Sequence, residues 1–175
     1  MKPSRNIYLV GLMGAGKTTI GKLLAKRLDK TFVDADHELE ARTGVRIPVI
    51  FEIEGETGFR QREARVLEEL VRLDDVVLAT GGGVVLHPDN RALLVSHGLV
   101  IYLRAQPHDL WRRTRHDRNR PLLQTANPLE KLRQLYTLRD PLYTEVADIV
   151  VDTGLQNPQH LANRLHNEIE PQCVA

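Results

Sequence analysis

Eight consecutive residues, Gly11-Leu12-Met13-Gly14-Ala15-Gly16-Lys17-Thr18, carry the pattern G-x-x-x-x-G-K-T. Their chemistry is the grip of a polyphosphate. Glycines let backbone N–H groups converge on an anion with no Cβ in the way. Lys17 is then placed to reach β- and γ-phosphates, and the Thr18 hydroxyl to sit on Mg²⁺. The loop directly follows the apolar run 7–10 and directly precedes a helical pattern over 19–28. That context gives the motif its meaning, because the helix contributes the positive end of its dipole to the same site. The chain is expected to bind a nucleoside triphosphate through Gly14, Ala15, Gly16, Lys17, Thr18 and Thr19.

Other groups suit a second substrate. Asp34 and Asp36 follow the run 31–33, and residues i and i+2 of an extended chain share a side. Both carboxylates are therefore expected beside the phosphate loop, one assisting Mg²⁺ through water and the other orienting or deprotonating a hydroxyl. The competing reading makes Asp36 the cap of a helix starting at His37 and leaves Asp34 solvated. Gly81-Gly82-Gly83 follows the run 76–79, where missing side chains would admit a ligand; a flexible turn before Pro88 is the alternative. No carboxylate follows that strand at Thr80-Gly81, as a water-activating motor would need. Arg60 and Glu63 share a helix face, and a guanidinium oriented by a carboxylate can hold a substrate carboxylate with two parallel bonds. An ordinary exposed pair would contribute little.

Six arginines fall between Arg104 and Arg120, followed by a polar stretch to Pro128. No aromatic residue interleaves with the five from Arg112 to Arg120 and the formal net charge is +1, so nucleic acid is not an expected partner. A mobile basic lid closing over triphosphate fits better. Arg139-Asp140-Pro141 offers a further arginine, expected where a helix meets a loop. The seven histidines, His37, His87, His97, His108, His116, His160 and His166, show no metal-ligand spacing.

These groups need a scaffold. Apolar runs at 7–10, 31–33, 76–79, 99–103 and 149–151 alternate with amphipathic stretches at 19–28, 60–73, 90–96, 108–115, 129–136 and 159–169. Such alternation predicts an α/β fold, a parallel sheet of about five strands with helices on both faces and ligands beyond the strands' carboxyl ends. At 175 residues, 42% apolar and 27% charged, one domain spanning 1–175 is expected. Lys2 and Arg5 ahead of residues 7–13 superficially resemble a secretory signal, but Lys17 ends the apolar stretch. The lone Cys173 suits a reducing compartment, and no membrane span is foreseen; a cytoplasmic protein is expected.

The constellation resembles shikimate kinase over nearly the whole chain. The matching pieces are the loop 11–18, Asp34-x-Asp36, Phe51-x-x-x-Gly55-Glu56-x-x-Phe59-Arg60, Gly81-Gly82-Gly83, Arg120-Pro121-Leu122-Leu123 and Arg139-x-Pro141-x-Tyr143. The segment 46–50 looks less typical of that family. The resemblance implies a nucleoside-monophosphate-kinase-like P-loop fold of five parallel strands, a substrate-binding region at about 37–62 and a lid at about 112–127. It implies transfer of the ATP γ-phosphoryl group to the 3-hydroxyl of shikimate, with ATP as co-substrate, Mg²⁺ as cofactor and a monomer as the working unit. By matching position, Asp36 would contact the shikimate hydroxyls and act as base or orienting group. Arg60 and Arg139 would hold the carboxylate, with Gly81, Gly82 and Gly83 against the substrate. Lys17 and Arg120 would stabilise phosphoryl charge, Thr18 and Asp34 would hold Mg²⁺, and Arg112 and Gln156 would contact adenine. The rival readings are a gluconate or nucleotide kinase of the same fold, and a nucleotide switch, which lacks a guanine-reading Asn-Lys-x-Asp.

Overall fold

The five apolar runs all lie in strands that pair in parallel with partners distant in sequence. In the computed structural model, which describes residues 5–174 with side chains through 170, the strands are β1 (Asn6–Val10), β2 (Thr31–Asp34), β3 (Val76–Ala79), β4 (Gly98–Arg104) and β5 (Ile149–Asp152). One sheet forms in the order β2-β3-β1-β4-β5 with every pairing parallel. Lys2 and the Cys173 side chain lie outside the described residues.

Parallel neighbours need crossovers, and the helices supply them: α1 (Lys17–Arg27), α2 (Ala35–Thr43), α3 (Ile47–Leu70), α4 (Pro88–His97), α5 (Pro107–Thr114), α6 (Pro128–Val146) and α7 (Pro158–Val174). Right-handed crossovers put α1 on one face of the sheet and α3, α4 and α6 on the other. The packing agrees, with α1 against α7 and α4 against α3 and α6. Central strands covered on both faces bury every side chain, which is why Ile7, Tyr8, Leu9 and Val10 are all fully buried and read as an unbroken apolar run. Each such large side chain contributes about 1.5–3 kcal/mol by leaving water. The edge strand β5 alternates buried and exposed positions instead.

The chain enters at the centre of the sheet, so the turn after β1 lies between the carboxyl ends of β3 and β4. Gly11 has φ of 149°, and a Cβ there would stand 2.5 Å from the Leu103 carbonyl oxygen of β4. Gly16, at φ 101°, turns the chain into α1, which therefore starts at Lys17 and not at residue 19.

Four expectations need correction. Asp34, not Asp36, caps α2: its Oδ1 accepts from the backbone N–H groups of Asp36 at 3.0 Å and His37 at 3.1 Å, so Asp36 is helical rather than extended. The helix expected over 60–73 runs as α3 from Ile47, interrupted at Gly55 (φ 69°, ψ −178°), a backbone shape that side chains exclude. Glu54 and Arg62 straddle this bend with parallel bonds of 2.6 and 2.8 Å, and Gly58 leaves room for Glu54, whose Cβ would lie 2.5 Å from one on residue 58. Third, α6 passes through Pro141 to Val146, placing Arg139 mid-helix and not at a junction. Leu132, Leu135, Tyr143 and Val146 form one buried stripe whose packing outweighs the one hydrogen bond that proline removes. Finally, α5 continues to Thr114, so the irregular part of the expected lid begins at residue 115 and contains only a 3₁₀ turn, Pro121–Leu123. Among the described residues no helix is long and apolar enough to cross a membrane.

The two positive-φ positions Gly11 and Gly44 separate backbone strain from steric contact, because nothing lies within 4 Å of a Cβ on Gly44. Gly44→Ala is expected to lose about 1 kcal/mol of stability, and Gly11→Ala about 1–3 kcal/mol more, in urea unfolding of the two variants. Equal losses would contradict the Leu103 contact as the reason for Gly11.

Candidate active site

The carboxyl ends of β1, β2 and β3 open into one cleft of about 1000 Å³, large enough for a nucleotide and a small acceptor together. Gly14, Ala15, Gly16, Lys17, Thr18 and Thr19 form one wall. Lys17 lies between the loop and the sheet, donating to the carbonyls of Gly11 at 2.6 Å and Leu12 at 3.0 Å. Burial pulls its ammonium down to about 8, with Asp36 opposing that shift and Arg120 assisting it.

Asp34 performs two tasks with its two oxygens. One caps α2; the other, Oδ2, accepts from the Thr18 hydroxyl at 2.8 Å. The pair brings two hard oxygen ligands together beside the phosphate loop, which suits Mg²⁺. Asp36, in the first turn of α2, lines the same cleft. Its carboxyl is pushed above the usual range, first by burial and then by Asp34 beside it, against the pull of Lys17 and Arg120. A carboxylate with a raised pKa next to a polyphosphate site is a proton acceptor suited to neutral pH.

The triple glycine makes room for charged groups. A Cβ on Gly81 would lie 2.4 Å from Glu63 Oε2 and 3.1 Å from Asp36 Oδ1. On Gly83 it would meet Arg60 Nη1 at 2.2 Å, and on Gly82 it would stand 3.5 Å from Arg139 Nη1. None of the three has positive φ, so close approach and not turn geometry explains them.

Arg60 is clamped. It donates to Glu63 at 2.9 Å and Glu56 at 3.2 Å, and it stacks over the Phe59 ring at 5.0 Å. Glu63 is only 5% exposed, so this is no solvated surface pair, the outcome that generic pair energetics favour. Burial raises the Glu63 carboxyl, and Arg60 restrains it. Arg139 is 2% exposed, yet among the described residues its Nε and Nη1 have no hydrogen-bond partner, nor has Arg60 Nε. One buried and one partly buried guanidinium with unused donors beside bare backbone could hold a carboxylate.

Arg120 also lines the cleft, steadied by Asp117 at 3.0 Å. Gln156 lines it at the far end of the phosphate loop; Arg112 is exposed on α5 and does not. The neighbouring Arg113 does, donating to the carbonyls of Gly14 at 3.0 Å, Thr153 at 3.2 Å and Gly154 at 2.7 Å. Consecutive arginines hide that choice in the sequence. Tyr143 was legible only as a member of a motif; its signal is the buried stripe of α6, on which Arg139 also falls.

Comparison with known proteins identifies the family. The family model described as shikimate kinase matches residues 13–170. A shikimate kinase of Thiobacillus denitrificans is 61% identical over 97% of this chain and 93% of its own, and one of Burkholderia lata is 58% identical over 96% and 91%. The structure of shikimate kinase from Acinetobacter baumannii in complex with shikimate superposes with a TM-score of 0.94 at 49% identity, covering 96% of this chain and 94% of that one. A phosphate loop, a raised aspartate and paired arginines on this sheet, with identity of this depth along almost the full length, place the chain in the shikimate kinase family.

Proposed function

We propose that the protein transfers the γ-phosphoryl group of ATP to the 3-hydroxyl of shikimate, giving shikimate 3-phosphate and ADP on the route to chorismate and the aromatic amino acids. One observation carries the site assignment. A polyphosphate grip and a two-arginine receptor with an intervening aspartate open into the same cleft. Shikimate asks for both ends of this arrangement, since it has one carboxylate and several hydroxyls.

The residues divide the work. The backbone of 14–16 and the N-terminus of α1 hold the β- and γ-phosphates. Lys17 gives up its carbonyl partners for phosphate oxygens and stabilises charge as the γ-group moves, with Arg120 opposite. Arg60, Arg139 and the glycine turn fix the carboxylate, which orients the ring. Asp36 then takes or directs the proton of the attacking hydroxyl. Thr18 and Asp34 would hold Mg²⁺, which neutralises phosphate charge. Among the described residues no cluster of three His, Cys, Asp or Glu forms a metal cage, so the remaining ligands of such an ion would be phosphate oxygens and water. Asn119, Arg120, Pro121 and Leu122 line the cleft, and the segment 115–127 would cover it and keep water from the phosphoryl group. Gln156 and Arg113, which line the cleft, would contact the base, and the protein would act in the cytoplasm as a monomer.

The deciding assay is coupled ADP release with shikimate, gluconate and nucleoside monophosphates as acceptors. Turnover with shikimate alone is the expected outcome; none above background with shikimate would end the proposal. Lys17→Met should lower kcat by about 10²–10³-fold with the fold intact by circular dichroism, and an unchanged kcat would remove the loop lysine from catalysis. Arg60→Ala should raise the KM for shikimate by about 10–100-fold and leave that for ATP near its original value.

The pH profile should be bell-shaped. Activity falls on the acid side as Asp36 takes up its proton, at a higher pH than an unperturbed carboxylate would. On the alkaline side kcat/KM for ATP falls as Lys17 loses its charge near pH 8 in the free enzyme. Bound phosphate favours the ammonium, so the alkaline limb of kcat should lie higher. Coincident alkaline limbs would contradict this role for Lys17.

A further inference from the structure

Tyr143 is completely buried on α6, one turn beyond Arg139, and nothing in the chemistry above uses it. Its hydroxyl donates to the Gly82 carbonyl oxygen. Its ring packs on that of Tyr102 with centroids 4.9 Å apart, and the Tyr102 hydroxyl donates to Asp140 at 2.8 Å. Burial raises the Tyr143 phenol to about 12, with Arg139 beside it opposing that shift, so it remains a proton donor at working pH.

We infer that Tyr143 is a positioning residue for the substrate carboxylate, holding the Gly82 carbonyl on the α6 side so that the Gly83 N–H faces the cleft beside Arg139. The carbonyl and N–H of one trans peptide point in opposite directions, so anchoring the first aims the second. Among the described residues Gly83 N–H takes part in no backbone hydrogen bond, while the Gly83 carbonyl accepts from Leu86. A Cβ on Gly82 would lie 3.5 Å from Arg139 Nη1 and 3.6 Å from the Met13 backbone nitrogen, so this peptide borders both the guanidinium and the phosphate loop. Without the phenol, the peptide plane loses the bond that sets its rotation. One anchor thus aligns a backbone donor with a side-chain donor on a single anion. The inference rests on the carboxylate site proposed above.

The test is Tyr143→Phe in the full chain, which keeps the ring and removes only the hydroxyl. The KM for shikimate should rise about tenfold, with kcat and the KM for ATP within about twofold. The preference for shikimate over its neutral carboxamide should fall by about the same factor, which a merely structural role would not produce. Tyr102→Phe, whose hydroxyl bonds Asp140 and not the turn, should leave all of these within about twofold. An unchanged shikimate KM in Tyr143→Phe, an undiminished preference, or an equal rise in the KM for ATP would overturn the inference. Arg139→Gln distinguishes the two levels: if it raises the KM for shikimate and Tyr143→Phe does not, only the role of Tyr143 fails. If neither variant raises it, the carboxylate site itself is misplaced. In the unmodified protein the Gly83 amide resonance should shift on titration with shikimate, and a stationary resonance refutes the inference even should Tyr143→Phe not fold.

Discussion

Cationic groups withdrawn from water and short of acceptors are the constraint on which this molecule is built. Among the described residues Arg139 is almost wholly buried with two of its nitrogens unbonded, Arg60 has another, and Lys17 bonds to carbonyls of its own loop. Buried charge without full pairing costs several kcal/mol in a folded protein. Here that strain lies where phosphate and carboxylate would relieve it, so donors need little rearrangement when an anion arrives. The carboxylates temper the effect. Glu63 pairs with Arg60 and Asp36 attracts Lys17 and Arg120, and both carboxyls are themselves driven toward neutrality by burial. The cluster is poised between excess positive charge and cancellation.

The sheet makes this concentration of charge affordable. With β1 at the centre, the loops after β1, β2 and β3 leave adjacent strand ends, so residues from distant parts of the chain meet without long connections. The covered strands supply a rigid floor of fully buried side chains. On that floor α3 does two things because of its bend at Gly55: its second half packs on the core and carries Arg60 and Glu63, while its first half continues from α2 along the rim. The Glu54–Arg62 pair links the halves across the bend.

Much of this was readable from the sequence, for identifiable reasons. Strand positions were clear because doubly covered strands need contiguous apolar runs; residues 76–79 were expected as a strand and form β3. The phosphate loop was clear because its glycines and lysine have fixed spacing. Helix limits were harder. Pro141 suggests an end to α6, but Arg139 belongs to a buried stripe that continues past it. The reading of Asp34 and Asp36 as successive extended residues failed at Asp36, which is already helical because Asp34, the last residue of β2, caps α2, though both still reach the cleft. Arg112 and Arg113 differ by one residue, about 100° around a helix, and only tertiary packing decides which one faces the loops. The function of the triple glycine was visible as a need for space, whereas the identities of the groups filling it were not.

Arg113 has a consequence for nucleotide choice. One guanidinium fastens the Gly14 carbonyl of the phosphate loop to the Thr153 and Gly154 carbonyls ahead of Gln156. The surfaces that would read the base and the triphosphate are therefore mechanically joined. Exchanging ATP for another donor by altering residues 153–156 alone would tug on the polyphosphate cradle, and base preference and phosphoryl affinity would drift together through evolution.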